Sequence, residues 1–347
     1  MELQNSSKIL IVNLGGIGDL LLSLPAVKAL RKKYNEANLD ILVVRRAVPV
    51  AQDAGLFNRV YDFNRNIPKL TGLLLELRNN RYDLVINMRS LVTWKGALKM
   101  FLVLQFIHGR INAGRDTDHR GFFFDIKTPE TTFGQKYEMQ YDIDTVRALG
   151  AESVDTVPNF PLDLKDTQEI NDFLKNSAVN EKDILIGLHP GGMPSRRWPV
   201  ENFIRVISKV RETIDCKFVV TGTKQEALLL NIASKHMGLP LIDAADKLNL
   251  RQFGALIKRC DVFISNDTGP MHIAAILKAP LIAIFGPGEI IRFDPRNIYD
   301  KAIVFYKKAP CAPCNKTYCD SLKCFKDISA EEVAIAAVKL IKERNNA

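Results

Sequence analysis

The chain has 347 residues, 47% of them hydrophobic and 25% charged, with a formal net charge of +9 at neutral pH. That length predicts two domains, and the composition excludes a disordered chain. No apolar stretch approaches the ~18 uncharged residues of a membrane span, and the basic balance points to an anionic partner: a phosphorylated ligand, nucleic acid or an anionic membrane surface.

The opening residues, MELQNSSKIL, have no basic region leading into an apolar one, so a secretory leader is not expected. Residues 8–13 read as a buried parallel strand, and Gly15-Gly16-Ile17-Gly18 as the tight turn behind it. Glycines in such a turn commonly serve a positive φ. A helix should follow, with Leu20, Leu21, Leu24, Val27 and Leu30 on one face and Arg31-Lys32-Lys33 in its last turn. Pro25 should kink that helix or mark its true start. Residues 39–44 and 82–87 read as further strands and 70–78 as a helix, an alternation that predicts βαβ units and a parallel sheet. The charge gathers here: residues 45–127 hold 14 Lys and Arg against 7 Asp and Glu.

The glycine turn meets neither the dinucleotide fingerprint, because Leu21 stands where a third glycine belongs, nor a phosphate-binding P-loop. Asp19 follows the glycines, and a carboxylate there would repel a phosphate at the helix start. It reads either as a helix cap or as a general base facing a cleft. The D-x-D pairs Asp116/Asp118 and Asp142/Asp144 follow no clear strand end and are not taken as a metal motif.

The proline-punctuated segment 157–163 is the expected linker. The α/β pattern then restarts, with strands over 184–189, 217–221, 261–265 and 280–285 and helices over 201–212, 224–237 and 331–342. Three features stand at strand ends, where α/β sheets place ligands. His189-Pro190-Gly191-Gly192 leads into Arg196-Arg197-Trp198-Pro199, whose guanidinium groups can clamp a diphosphate, with a solvated loop anchored by Trp198 as the plainer alternative. Ser265-Asn266-Asp267-Thr268-Gly269-Pro270-Met271-His272 opens a helix whose start can donate N–H groups to an anion, with capping by Asp267 or Thr268 as the alternative. His272 reads as a packed residue rather than a catalyst.

Together these motifs resemble glycosyltransferase family 9, the ADP-heptose:lipopolysaccharide heptosyltransferases. The matching pieces are residues 16–25, His189 to Gly192, Arg196 to Pro199 with Glu201 and Phe203, and Asp267 to His272, in an order spanning most of the chain. The resemblance implies a GT-B fold of two Rossmann-like domains facing each other across a cleft. Residues 1–160 would bind the acceptor, 161–330 the nucleotide-sugar, and 331–347 would form a final helix that can pack back on the first domain. It implies an inverting, metal-independent transfer of heptose from ADP-heptose to the inner core of lipopolysaccharide, with no cofactor. Localisation would be cytoplasmic, peripheral on an anionic membrane face. Asp19 would be the catalytic base, with Gly16 and Gly18 in the acceptor-side loop. Arg196 stands where the family usually carries Lys; with Arg197 and the start Thr268-Gly269-Pro270 it would hold the diphosphate. Asp267 would meet sugar hydroxyls and Glu226 the ribose.

Cys311, Cys314, Cys319 and Cys324 gather four of six cysteines in a C-x2-C-x4-C-x4-C run. Such a run can supply a tetrahedral structural metal site, redox-dependent disulfides or reduced structural thiols, and the spacing does not choose. Cys216 and Cys260 sit in core-like patterns. The competing functions are a related GT-B transferase with another nucleotide-sugar or acceptor, and a non-catalytic nucleotide-binding protein. Nucleic-acid binding is not expected, for want of a stacking, zinc-finger or helix-turn-helix motif.

Overall fold

The computed structural model describes residues 7–64, 66–132, 134–152, 157–314 and 316–345. The chain divides into two compact units, Met1–Asn159 and Phe160–Ala347, so the division falls inside the proline-punctuated segment.

In chain order the first unit runs β1 (Lys8–Asn13), α1 (Ile17–Lys33), β2 (Asn38–Val44), α2 (Val48–Asp53), β3 (Arg59–Phe63), α3 (Ile67–Asn79), β4 (Leu84–Asn87), α4 (Trp94–Ile107), β5 (Ile111–Thr117), β6 (Ile126–Glu130) and α5 (Glu138–Arg147). Its six strands lie in the order β3-β2-β1-β4-β5-β6 and every pairing is parallel. The second unit runs α6 (Leu164–Asn176), β7 (Leu185–His189), α7 (Val200–Arg211), β8 (Lys217–Val220), α8 (Lys224–His236), β9 (Ile242–Asp243), α9 (Leu250–Arg259), β10 (Val262–Asn266), α10 (Gly269–Ile276), β11 (Leu281–Phe285), α11 (Ile290–Phe293), β12 (Ile303–Tyr306) and α12 (Ala330–Asn345). Its sheet, β12-β11-β10-β7-β8-β9, is parallel throughout and repeats the order of the first. Each unit therefore has the doubly wound Rossmann topology, with a switch point between β1 and β4 in one and between β7 and β10 in the other.

The strands are short apolar runs because both sheet faces are covered. In the second unit the alternation of side chains sends Ile186 and Leu188 of β7 into the core shared with Phe203, Val206 and Val333. Leu185 of the same strand enters the opposite core with Ile170 and Leu256. The closing helix α12 packs against α7 and contributes Val333, Ala337 and Ile341 to the second unit's core.

Two local expectations need correcting. α1 runs through Pro25 rather than starting there. Gly15, Gly16 and Gly18 are not among the positive-φ residues, so the glycine turn does not serve a left-handed conformation. A β-carbon at Gly15 would come within 2.6 Å of the Asp19 Cβ, so the reason for glycine there is space.

Candidate functional site

Both switch points carry polar clusters. In the first unit the turn after β1 leads to Asp19, the third residue of α1, where an acid suits the positive end of the helix dipole. Its Oδ2 accepts the Gly16 N–H at 2.7 Å, and its Oδ1 is ion-paired with Nη1 of Arg89, which comes off the end of β4. Asp19 is thus a helix cap, and it remains 21% exposed at the sheet's carboxyl edge. Gly16 sits in extended backbone (φ −80°). The space a side chain there would fill is walled by Arg46 Nη2 at 3.4 Å and Asp19 Oδ2 at 3.5 Å. Arg46 is exposed and has no hydrogen-bond or ion-pair partner among the described residues. Gly18 is buried within the first turn of α1.

A buried network backs this cluster. Arg89 lies 4.0 Å from Glu138 Oε1, which accepts from Arg115 Nη1 at 2.8 Å. Arg115, fully buried on β5, also meets Glu130 at 3.3 Å and Asp142 of α5. Asp142 accepts from the Ser23 hydroxyl at 2.6 Å, one turn beyond Asp19 on α1. Burial works against the Arg115 charge, but Asp142, Glu138 and Glu130 outweigh it and raise its pKa. Burial pushes the Asp142 carboxyl up to about 6, opposed by Arg115. Arg46, Arg115, Glu130 and Glu138 were not singled out in the sequence, and Asp142 figured only in a D-x-D pair that was set aside. Arg89 alone carried a usable signal, its place just past a strand end. The D-x-D acids have other partners: Asp116 accepts from Gly121 N, Asp118 from Arg120 and Thr132, Asp144 from Lys136 and Arg147.

In the second unit the loops after β7 and β10 meet. Asn266 at the end of β10 donates to the carbonyls of Pro190 and Gly191 and accepts from Trp198 N–H, pinning the arginine loop to the strand. Arg196 Nη1 then donates to Asp267 Oδ2 at 2.9 Å, and Asp267 is almost wholly buried. Arg197 instead braces the loop, through Nε to Gly192 O at 2.7 Å and Nη2 to Glu226 Oε1 at 3.3 Å. Glu226 takes the Gly192 N–H on Oε1 and the Thr223 N–H and hydroxyl on Oε2, so both of its oxygens are engaged. Burial pushes this carboxyl up, but the Gly192 and Thr223 N–H groups outweigh it and hold it below its ordinary value.

His189 is buried, and burial drives its imidazole down to about 4, so it is neutral at physiological pH. His189 Nδ1 lies 3.0 Å from the Thr221 hydroxyl, which also lies within hydrogen-bond reach of Leu188 O. Gly192 (φ +124°) has no room for a side chain, because a β-carbon would meet Thr268 Cγ2 at 2.4 Å. Thr268 holds the N-cap position of α10 without a side-chain cap, its hydroxyl donating to Asn266 O, and Gly269 is the first helical residue; Pro270 has no N–H and Met271 N–H is returned to Thr268 O. Of the helix start, Gly269 N–H is therefore the donor available to a ligand. His272 is packed edge-on against Phe293, as expected of a core residue.

The four-cysteine segment buttresses the arginine loop: Ser195 N–H donates to Thr317 O and its hydroxyl to Lys316 O. All six thiols are free. Burial, with Cys311, Cys314 and Cys319 adding to it, pushes the Cys324 thiol up to about 11. Among the described residues no group of three or more His, Cys, Asp or Glu is arranged to hold a metal. Cys260 is buried as expected, whereas Cys216 is only partly so.

With this geometry in hand, the chain was compared with known proteins. The model of glycosyltransferase family 9 (heptosyltransferase) matches residues 71–325. A lipopolysaccharide heptosyltransferase 3 of Escherichia coli K12 is 25% identical over 347 residues, covering 94% of this chain and 96% of the relative. A solved glycosyl transferase family 9 structure from Veillonella parvula superposes with a TM-score of 0.75 at 21% identity, over 98% of this chain and all of that one. The E. coli ADP-heptose lps heptosyltransferase II gives a TM-score of 0.71 at 20% identity, over 97% of this chain and 99% of that one. At those identities the likeness is one of fold, and the fold is GT-B.

Proposed function

This chain belongs to glycosyltransferase family 9, and from that premise we propose that it moves heptose from ADP-heptose to the inner core of lipopolysaccharide. The observation that carries the chemistry is Asp19, a partly exposed carboxylate held by Gly16 and Arg89 at the switch point of the first unit. In the proposed step Asp19 accepts the proton of an acceptor hydroxyl as that oxygen attacks the anomeric carbon. The bond from that carbon to the diphosphate breaks, ADP leaves, and the configuration at carbon inverts.

Arg196 is the proposed diphosphate ligand. Its Nη1 is spent on Asp267, and the other guanidinium N–H groups remain for phosphate oxygens. The Gly269 N–H at the start of α10 adds a donor aimed at an anion. These fixed positive groups are proposed to stabilise the leaving ADP without a metal ion. Asp267 holds Arg196 in place and offers its second oxygen to sugar hydroxyls. Arg197 and Glu226 shape the Gly192 turn; the ribose contact expected of Glu226 would require the Thr223 hydroxyl to turn away. Arg46, which walls the open space over Gly16, is suited to an anionic group on the acceptor.

The test is a thermal-shift series with ADP, UDP, GDP and NAD. Selective stabilisation by ADP is expected, and Arg196→Gln should raise the ADP Kd by about tenfold to a hundredfold, the worth of a charge-assisted hydrogen bond. Equal stabilisation by UDP, or an ADP affinity indifferent to Arg196→Gln, would remove this reading.

A further inference from the structure

Helix α4 has two apolar faces, and only one of them is used. Ala97, Met100, Leu104 and Ile107 point into the core of the first unit. Trp94, Leu98 and Leu102, spaced by four residues, form a stripe along the solvent side and are 62%, 56% and 58% exposed. Phe122, 55% exposed, extends the stripe at one end through its contact with Phe101. Exposed large side chains are ordinary when scattered; three in a row along one helix face, extended by an exposed phenylalanine, are not.

The charge carried by α4 itself has one sign. The fourteen residues of α4 include Lys95 and Lys99 and no acid, and both lysines are exposed. Neither has an ion-pair partner among the described residues. Exposed Arg78 stands on α3, which packs against α4. A helix that pairs Trp and Leu with Lys on its outer side has the chemistry of an element lying in the plane of an anionic bilayer surface: rings and leucines enter the headgroup boundary, and lysines meet lipid phosphates. A protein partner would also bury the apolar stripe, but the two unpaired lysines on a helix without an acid favour a negatively charged surface.

We propose that the outer face of α4, with Phe122, is the surface by which this protein docks on an anionic lipid bilayer. The inference stands on surface chemistry and needs no transferase activity to be tested. The chain has two tryptophans, and the other, Trp198, is buried at 2% exposure, so Trp94 reports on the stripe by itself.

The experiment is sedimentation and tryptophan emission of the full chain with phosphatidylglycerol-containing vesicles and with pure phosphatidylcholine vesicles. The protein should pellet with the former and little with the latter, with a blue shift of emission that Trp94→Phe removes while leaving binding nearly intact. Leu98→Asp and Leu102→Asp, at exposed positions that leave the core untouched, should each reduce the bound-to-free ratio at least about tenfold. Lys95→Gln and Lys99→Gln should each reduce it about fivefold, an effect that fades in high salt. Pelleting without a Trp94 shift, pelleting undiminished in the aspartate variants, or no pelleting at all would overturn the proposal. So would a concentration-dependent dimer in the ultracentrifuge that Leu98→Asp dissolves, because the stripe would then belong to a second copy.

Discussion

Asp19 has both carboxylate oxygens engaged before any substrate arrives, one by its own helix start and one by Arg89. That arrangement holds the carboxylate in one orientation, and it makes the space beside it a matter of single atoms. Gly16 is the residue that leaves this space open. Its backbone is extended, so alanine carries no conformational cost there, and the added methyl would stand at ordinary contact distance from Arg46 and Asp19. Gly16→Ala is therefore expected to keep or slightly raise the melting temperature while raising the acceptor KM by roughly tenfold, with kcat changed by less than about threefold. Steady-state kinetics beside a thermal melt separates the two effects. A loss of stability with KM unchanged would show that the space is not an approach to the base. Asp19 was legible from the sequence because a lone acid after a glycine turn is chemically out of place for phosphate binding. Arg89 offered only its place past a strand end, and its pairing with Asp19 becomes visible once the fold brings β4 beside β1.

At the scale of elements, the strongest tie in the first unit is Arg115. It joins β5 to the end of β6 through Glu130 and to α5 through Glu138 and Asp142, and Asp142 in turn reaches Ser23 of α1. Three buried acids around one cation are tolerable only while the cation is present. Arg115→Met should lower the stability of the protein by about 3–5 kcal/mol, because it leaves carboxylates buried without a partner. Part of that loss should return as the pH is lowered and the acids protonate, since the variant's native state would then bind more protons than its unfolded state. Urea unfolding at two pH values checks both statements; a mild loss independent of pH would mean that the acids find other partners. Of the elements themselves, β1, β2, β4, β7, β8, β10 and β11 and the helices α1, α7 and α8 were legible within a few residues, because each is a buried apolar run or an amphipathic repeat between turn residues. The stretch holding β5, β6 and α5 was not. β5 reads INAGRDT, with a charged arginine and aspartate in a strand, and α5 carries four acids or amides in its first seven residues. Their charges pair with one another in the interior, a compensation that no local pattern reveals.

At the scale of the molecule, two units share one strand order, and each places its polar cluster at its own switch point. That repetition was visible in the sequence as two α/β runs separated by a proline-rich segment. The excess of positive charge within residues 45–127 belongs to the first unit, where Arg46 walls the acceptor-side space and Lys95 and Lys99 flank the apolar stripe of α4. No helix of the described residues is long and apolar enough to cross a membrane. The central claim, transfer of heptose with Asp19 as base, is tested most directly by mass spectrometry of a heptose-free inner-core acceptor after incubation with ADP-heptose. The wild-type protein should add one heptose per acceptor. Asp19→Asn should slow the addition by about a hundredfold to ten-thousandfold while ADP still stabilises the variant against heat. No heptose gained with the wild-type protein, or transfer by Asp19→Asn at the wild-type rate, would contradict the account.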